Sequence, residues 1–239
     1  MAQGGFKNGL ERAGRWLKRL LLGWLIFSVG SVLAMRFVDP VTSSFMLRDR
    51  VIALFSGDRD YHFAHTWVDW SKISPHMKVA VIASEDQKFP DHHGFDLDSM
   101  QKAWVANHRG HRTRGGSTIS QQLAKNLYLW PGQSYVRKGL EAWFTVLIEA
   151  LWPKERILEV YLNSAEFGKG VFGVGAASQR YFKKPASQLS PQEASLLAAV
   201  LPAPKRFLAS RPSGYVRARQ AWISREMAHI GGTGALTKL

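Results

Sequence analysis

Glu85 and Asp86 stand side by side at the head of the run Glu85-Asp86-Gln87-Lys88-Phe89-Pro90-Asp91-His92-His93-Gly94. A second block, Gly115-Gly116-Ser117-Thr118-Ile119-Ser120-Gln121-Gln122, follows, and then a third, Arg137-Lys138-Gly139-Leu140-Glu141. Acids and cations recurring in blocks rich in Gly, Ser and Gln, behind an N-terminal run apolar enough for a membrane anchor, point to sugar chemistry on an anionic, lipid-linked substrate. Transfer of a sugar from a polyprenyl pyrophosphate needs little help from a general acid, because the leaving group is already good. It needs cations or a metal at the developing pyrophosphate charge, and a carboxylate of raised pKa to take the acceptor's proton. Glu85 is the candidate base. It ends an apolar stretch where partial desolvation raises its pKa, and Asp86 adds like-charge repulsion in the same direction. A carboxylate at a helix C-terminus also opposes the macrodipole. The competing reading of an acid pair at a helix end is a solvated terminus.

Lys125, Arg137 and Lys138 are the candidate grips for a pyrophosphate, arginine as a fork and lysine as a point charge. Isolated basic residues on helices are more often a solvated face. Glu141 lies four residues after Arg137 and three after Lys138, so an intrahelical ion pair accounts for it. It also fits a second carboxylate that orients those cations. Ser117, Thr118, Gln121 and Gln122 give one helix face able to bind sugar hydroxyls or phosphates; the alternative is an ordinary cap followed by a polar surface. Gly115-Gly116 would leave the helix N–H groups open to an anion. The pairs His62/His65 and His108/His111 lack further ligands at zinc spacing. His92 reads as a structural hydrogen-bonding residue. Ser99-Met100-Gln101-Lys102 matches the Ser-x-x-Lys of penicillin-binding transpeptidases by accident, since no Lys-Thr-Gly accompanies it.

Helices must position these groups. Met77, Ala80, Val81 and Ala83 recur at helical spacing after Pro75 and carry Glu85 at their end. Phe95 to Asn107 predicts a second helix, with Asp96 or Asp98 near its start. The basic run 108–114 predicts a mobile loop, and Ser117 a cap for a helix to Leu129. A long helix follows Ser134, then one over Lys154 to Asn163 behind Pro153. The Gly-rich 168–175 segment predicts a turn. Further helices are expected over Val174–Phe182, Pro191–Leu201 and Arg211–Ile230, the last with Arg217, Arg219 and Arg225 exposed. Gly231 onward reads as a frayed tail. Residues 39–74, with a β-leaning run Phe45 to Phe55, read as a linker or juxtamembrane lobe with little regular structure.

The chain has 239 residues, a formal charge of +14 and no Cys. Disulfides and thiolate catalysis are excluded. Such a positive balance attracts polyanions, and nucleic acid is the default partner of a soluble basic protein. Residues 20–35 carry no charge, however, and Trp16, Leu17, Phe37 and Val38 extend the run. About 20 apolar residues span a bilayer core as a helix, so lipids and pyrophosphates displace nucleic acid. Lys7, Arg12, Arg15, Lys18 and Arg19 precede the run, opposed by Glu11, which places the N-terminus in the cytoplasm. A cleaved signal peptide is the rival, with Val32-Leu33-Ala34 as a weak cleavage site. The span is long for a signal sequence, and an uncleaved anchor is expected.

Glu85-Asp86-x-x-Phe89-x-x-His92-x-Gly94 resembles the first signature of the peptidoglycan glycosyltransferases, glycosyltransferase family 51. Gly116-Ser117-Thr118-Ile119-Ser120-Gln121-Gln122-x-x-Lys125-Asn126 resembles the second and Arg137-Lys138-x-x-Glu141 the third. Lys154-x-x-Ile157-Leu158-Glu159-x-Tyr161-Leu162-Asn163 resembles the fourth, and Gly173 to Phe182 with Leu189 to Pro204 the closing helices. The resemblance runs from about Trp67 to Pro204, plus the anchor. It implies a mainly α, lysozyme-like glycosyltransferase domain with a small membrane-proximal jaw lobe and one N-terminal transmembrane helix. The implied layout is a cytoplasmic tail 1–16, an anchor 17–38, a juxtamembrane segment 39–66, the catalytic domain 67–230 and a flexible tail 231–239. It implies a bacterial inner-membrane protein with a periplasmic catalytic domain that polymerises lipid II with inversion and releases undecaprenyl pyrophosphate. Glu85 would deprotonate the acceptor's 4-hydroxyl. Glu141, Lys125, Arg137 and Lys138 would hold the donor pyrophosphate with Mg²⁺ or Mn²⁺, and no protein metal ligands are implied. Asp86, Ser117, Gln121, Gln122 and Asn126 would line the substrate cleft. The implied partners are lipid II, the growing glycan, the membrane, and divisome or cell-wall synthesis proteins.

Two other readings stay open on sequence. A lysozyme-like fold with a catalytic Glu could cleave glycan strands, although cleaving a neutral sugar linkage calls for an acid rather than phosphate grips. A non-catalytic scaffold for anionic lipid and division proteins would keep its role without Glu85.

Overall fold

The computed structural model describes residues 2–58, 61–108, 116–132 and 134–239. Helix α1 spans Ala2–Phe37. Its stretch Glu11–Phe37 is long and apolar enough to cross a membrane by length and composition. At ~1.5 Å rise per residue, it exceeds the ~30 Å hydrocarbon core. The chain divides into two compact units, Met1–Asp39 and Pro40–Leu239.

The second unit is mainly α, as expected. Helix α2 covers Ser44–Ser56. This corrects the β-leaning reading of Phe45 to Phe55. The Ser43 hydroxyl accepts from the Met46 N–H, and Gly57 closes the helix in the left-handed region at φ 64°. Cap and stop fix the helix ends, and these outweigh the β propensity of Val51, Ile52 and Phe55. Strand β1 is Ala64–His65.

Helix α3 (Pro75–Glu85) starts on Ser74-Pro75, and all its side chains from Met77 to Ala83 are buried. Helix α4 is Leu97–His108, with Asp96 accepting from the Ser99 N–H. Helix α5 is Ile119–Tyr128, α6 Tyr135–Leu151 and α7 Lys154–Ser164. Residues 166–172 form a hairpin where a simple turn was expected, with β2 at Glu166–Gly168 and β3 at Val171–Phe172. Strand order is β1-β3-β2, with β1 parallel and β2 antiparallel to β3. Two-residue strands carry too little alternation to be legible.

Helix α8 is Val174–Phe182, α9 Pro191–Val200 and α10 Gly214–His229. The end of the chain is a 3₁₀ helix over Gly232–Lys238 packed on α3 and α10, with Ala235 buried, rather than a frayed tail. Helix α3 therefore lies at the centre, against α9, α10 and this 3₁₀ helix, while α5 packs on α2, α6 and α7. The basic run 108–114 falls almost wholly outside the described residues, as do His111 and Gly115.

Gly94 shows how tightly the first block is seated. Its φ is 90°, and a Cβ there would lie 2.7 Å from the Thr145 methyl on α6 and 3.0 Å from Glu149 Cγ. Gly94→Ala combines a backbone penalty with overpacking, about 1–3 kcal/mol for each. A melting temperature lowered by several degrees is expected in a thermal scan. A melt within one degree of wild type would contradict the cramped geometry.

Candidate active site

Glu85 ends α3 with its side chain only 12% exposed. Each carboxylate oxygen has its own donor. Gln122 Nε2 on α5 donates to Oε2 at 3.0 Å, and Arg219 Nη2 on α10 reaches Oε1 at 3.4 Å. Gln122 is itself held, its Oε1 accepting from the hydroxyl of fully buried Tyr161 at 3.0 Å. Burial pushes the Glu85 pKa above the ordinary glutamate value. Gln122 and Arg219 pull it back, and Asp86 adds to the rise. The same burial, with Glu85 and Asp86 nearby, raises the Tyr161 phenol well above its usual value. Tyr161 therefore stays a neutral donor and fixes which end of the Gln122 amide faces Glu85.

Asp86 is buried and committed to the scaffold. His92 Nε2 lies 2.9 and 3.0 Å from its two oxygens, and the Ile119 N–H donates to Oδ2 at 2.9 Å. The N-terminus of α5 thus already holds an anion, the protein's own. The Thr118 hydroxyl accepts from the Gln121 N–H in a capping box, and the Gln121 side chain accepts from the Thr118 N–H. This corrects two expectations. The cap is Thr118 rather than Ser117, and the first N–H groups are not open to a substrate anion. The Thr118 hydroxyl also donates to the Gly94 carbonyl at 2.7 Å, and Lys154 Nζ donates to the His92 carbonyl at 2.6 Å. The first, second and fourth blocks are therefore one hydrogen-bonded unit behind Glu85. His92 has the structural role expected of it. His65 is also engaged, with Nε2 3.1 Å from the Asn163 carbonyl.

The cations sit on α5 and α6. Ser134 caps α6 by accepting from the Arg137 N–H at 3.1 Å. Arg137 Nη1 donates to Glu141 Oε2 at 2.6 Å, and Lys138 Nζ bonds Oε1. The Arg137 and Glu141 side chains are 10% and 4% exposed, whereas Lys138 is 45% exposed. Lys125 lies three residues after Gln122 on α5, with its ammonium 5.7 Å from the Phe45 ring centroid. Burial lowers its pKa; Glu141 and Glu85 raise it, while Arg137 and Lys138 lower it further. Lys125 therefore stands within electrostatic reach of both the candidate base and the cation cluster. Three cations and one carboxylate leave two net positive charges here, which suits a pyrophosphate.

Among the described residues no cluster of three or more His, Asp or Glu side chains could share an ion. Glu141 has both oxygens engaged by cations.

Of the residues expected at the site, Glu85, Gln122, Lys125, Arg137, Lys138 and Glu141 are brought into one neighbourhood. Asp86 and Gln121 are buried in scaffold bonds. Ser117 and Asn126 are half-buried beside it, and Asn126 lends its carbonyl to the Ser44 hydroxyl of α2. Two residues join that sequence reasoning did not place. Tyr161 lies within the fourth block, whose pattern marks it without assigning it a task. Arg219 was expected to be exposed, as Arg217 and Arg225 are. Instead it meets Glu85 across 134 positions of sequence, and no local pattern signals a contact of that range.

A helical domain with a carboxylate beside a fixed cation cluster fits a transferase acting on an anionic donor. The sequence model of the Transglycosylase family matches residues 51–228. The chain belongs to the transglycosylase family, whose lysozyme-like helical fold agrees with the architecture above. It is similar to proteins named biosynthetic peptidoglycan transglycosylase. The one from Citrobacter koseri is 52% identical over all of this chain and 98% of the relative. That from Klebsiella oxytoca is 56% identical over 92% of this chain and 91% of the relative. That from Xanthomonas axonopodis pv. citri is 51% identical over 95% and 93% respectively.

Proposed function

We propose that this chain is a peptidoglycan glycosyltransferase of cell-wall synthesis that polymerises lipid II at the Glu85 site. The observation that carries this is the half-buried Glu85 carboxylate, with a donor on each oxygen, beside the net-positive Lys125, Arg137, Lys138 and Glu141 cluster. Glu85 removes the proton from the acceptor sugar's 4-hydroxyl. The freed oxygen pair attacks the donor's anomeric carbon from the face opposite the pyrophosphate. The carbon–oxygen bond to pyrophosphate breaks, its electron pair leaves on undecaprenyl pyrophosphate, and the proton stays on Glu85. The anomeric centre inverts. Lys125, Arg137 and Lys138 stabilise the departing charge, with Glu141 orienting the last two. Ser117 and Asn126 border the acceptor path. Asp86 and Gln121 act from behind by holding the α3–α5 junction. A Mg²⁺ or Mn²⁺ ion, if used, would add positive charge at the pyrophosphate that Lys125, Arg137 and Lys138 grip.

The charge pattern around α1 supports a single-pass topology in the bacterial inner membrane, with the N-terminus cytoplasmic and the catalytic unit periplasmic. Other cell-wall synthesis or division proteins are the natural partners of such a polymerase; nucleic acid is not.

The test uses the full chain in detergent micelles with labelled lipid II and Mg²⁺. Long glycan and free undecaprenyl pyrophosphate are the expected products. Breakdown of preformed glycan without polymer would transfer the site to the lytic reading, and neither activity in folded protein would leave a scaffold.

A further inference from the structure

Glu85 is held from two opposite directions, and one of the two holders lies beyond every sequence block described above. Gln122, anchored by Tyr161, takes Oε2; Arg219 on α10 takes Oε1. We propose that Arg219 is a positioning residue for the transfer reaction, fixing the Glu85 carboxylate against Gln122 and keeping it ionised until the acceptor hydroxyl arrives. This rests on the reading of Glu85 as the base.

The placement of Arg219 is built rather than incidental. Val216, Ile223 and Met227 bury one side of α10 against α3 and α9. Polar ties hold the helix from Arg219 towards its C-terminal end. Gln220 Nε2 donates to the Gln192 carbonyl at 2.8 Å, Ser224 meets Ser195 at 3.1 Å, and Gln87 Nε2 donates to Glu226 at 3.0 Å. The Arg219 side chain is 21% exposed, with its guanidinium carbon 5.8 Å from the Trp222 ring centroid. Its Nε is buried without an acceptor. Glu85 is the one hydrogen-bond acceptor its guanidinium finds among the described residues.

Charge-assisted N–H···O bonds run at about 2.7–2.9 Å, and this one is 3.4 Å. A single N–H uses one of the two lone pairs on Oε1, so the other stays open for the proton it must take. Other ionisable groups act on Glu85 or sit on the elements packed against α3. Asp86 adjoins it and raises its pKa, and Tyr161 of α7 stays neutral. Lys125 of α5 acts at longer range. On α9, Glu193 is paired with Lys184, and Lys238 of the terminal 3₁₀ helix is exposed. Among the described residues, Arg219 is the one cation in direct contact with Glu85.

The experiment is the pH profile of lipid II polymerisation by the full chain, wild type against Arg219→Gln and Arg219→Lys. Removing a cation from a carboxylate raises its pKa, so a higher pH is needed to ionise the base. The acid limb of kcat/KM should move up by about one pH unit in Arg219→Gln, a tenfold loss on that limb. Activity should largely recover on the alkaline side. Arg219→Lys keeps the charge at poorer reach, and its limb should fall between the two. Should Arg219→Gln fail to fold, the upward shift in Arg219→Lys decides alone. A loss of the same factor at every pH, with the limb unmoved in the folded variants, overturns the proposal. Glu85→Gln, run in parallel, separates the two readings. If it retains polymerisation, the base assignment fails; if it is inactive while the Arg219 limbs stay put, only the role of Arg219 fails.

Discussion

Glu85→Gln is expected to lower the rate of glycan polymerisation by roughly 10²–10⁴-fold, the usual contribution of a positioned general base. The amide keeps the shape and one acceptor oxygen but takes no proton. The stability of the variant sharpens the test. In the folded chain the Glu85 pKa is raised, burial being the main cause. A raised carboxylate pKa means that the folded state binds the proton more tightly than the unfolded state does. The stability linked to this group is therefore fully present below the unfolded value, about 4.3, and is lost as pH rises through the folded one. At neutral pH the ionised carboxylate is a burden on the fold. Replacing it with neutral Gln should leave the melting temperature unchanged or higher while activity disappears. That opposition is the mark of a group kept for chemistry. Near-wild-type polymer from Glu85→Gln would remove Glu85 from the mechanism. A fall of many degrees in melting temperature would mean that the loss reports unfolding.

The helices were legible in the sequence where ends and faces are marked locally. Ser134, Pro153 and Pro191 announce α6, α7 and α9 within a turn, because end signals act over three or four positions. The cation pair and Glu141 were legible for the same reason, since spacings of three and four put them on one face. What sequence left open was long range. The Asp86 carboxylate at the Ile119 N–H and the guanidinium of Arg219 at Glu85 join positions 33 and 134 residues apart. In both cases a bland local reading, a solvated acid pair and an exposed basic helix face, fits the residue types equally well. Helix α2 was misread for a different cause. Its sequence is apolar on much of its exposed surface, with Leu54 and Phe55 open to solvent, so no amphipathic period marks it and the decisive signals were Ser43 and Gly57 at its ends. The resemblance began near Trp67, whereas the family match begins at residue 51, inside α2.

Glu141→Ala is expected to have the largest effect on the fold. The change removes the carboxylate that neutralises Arg137, whose side chain is 10% exposed and whose Nε already lacks a partner. Stranding a buried charge costs about 3–5 kcal/mol. Lys138, 45% exposed, returns to water and adds little. For a domain of this size roughly 2–4 °C is lost per kcal/mol, so calorimetry should show the melt about 10 °C lower. Glu141→Gln separates structure from chemistry. Its amide oxygen still accepts from Arg137, so most of the stability should survive. A single neutral oxygen does not hold two cations, however, and Lys138 is released from its place. With one cation of the grip misplaced, kcat/KM for lipid II should fall about 10–100-fold in a protein that melts near wild type. Equal losses of stability and activity in both variants would make Glu141 a strut of α6. Activity lost in a stable Glu141→Gln would place the carboxylate in the alignment of the pyrophosphate grip, where a spacing of three and four residues on one helix converts two repelling cations into a fixed receptor for an anion.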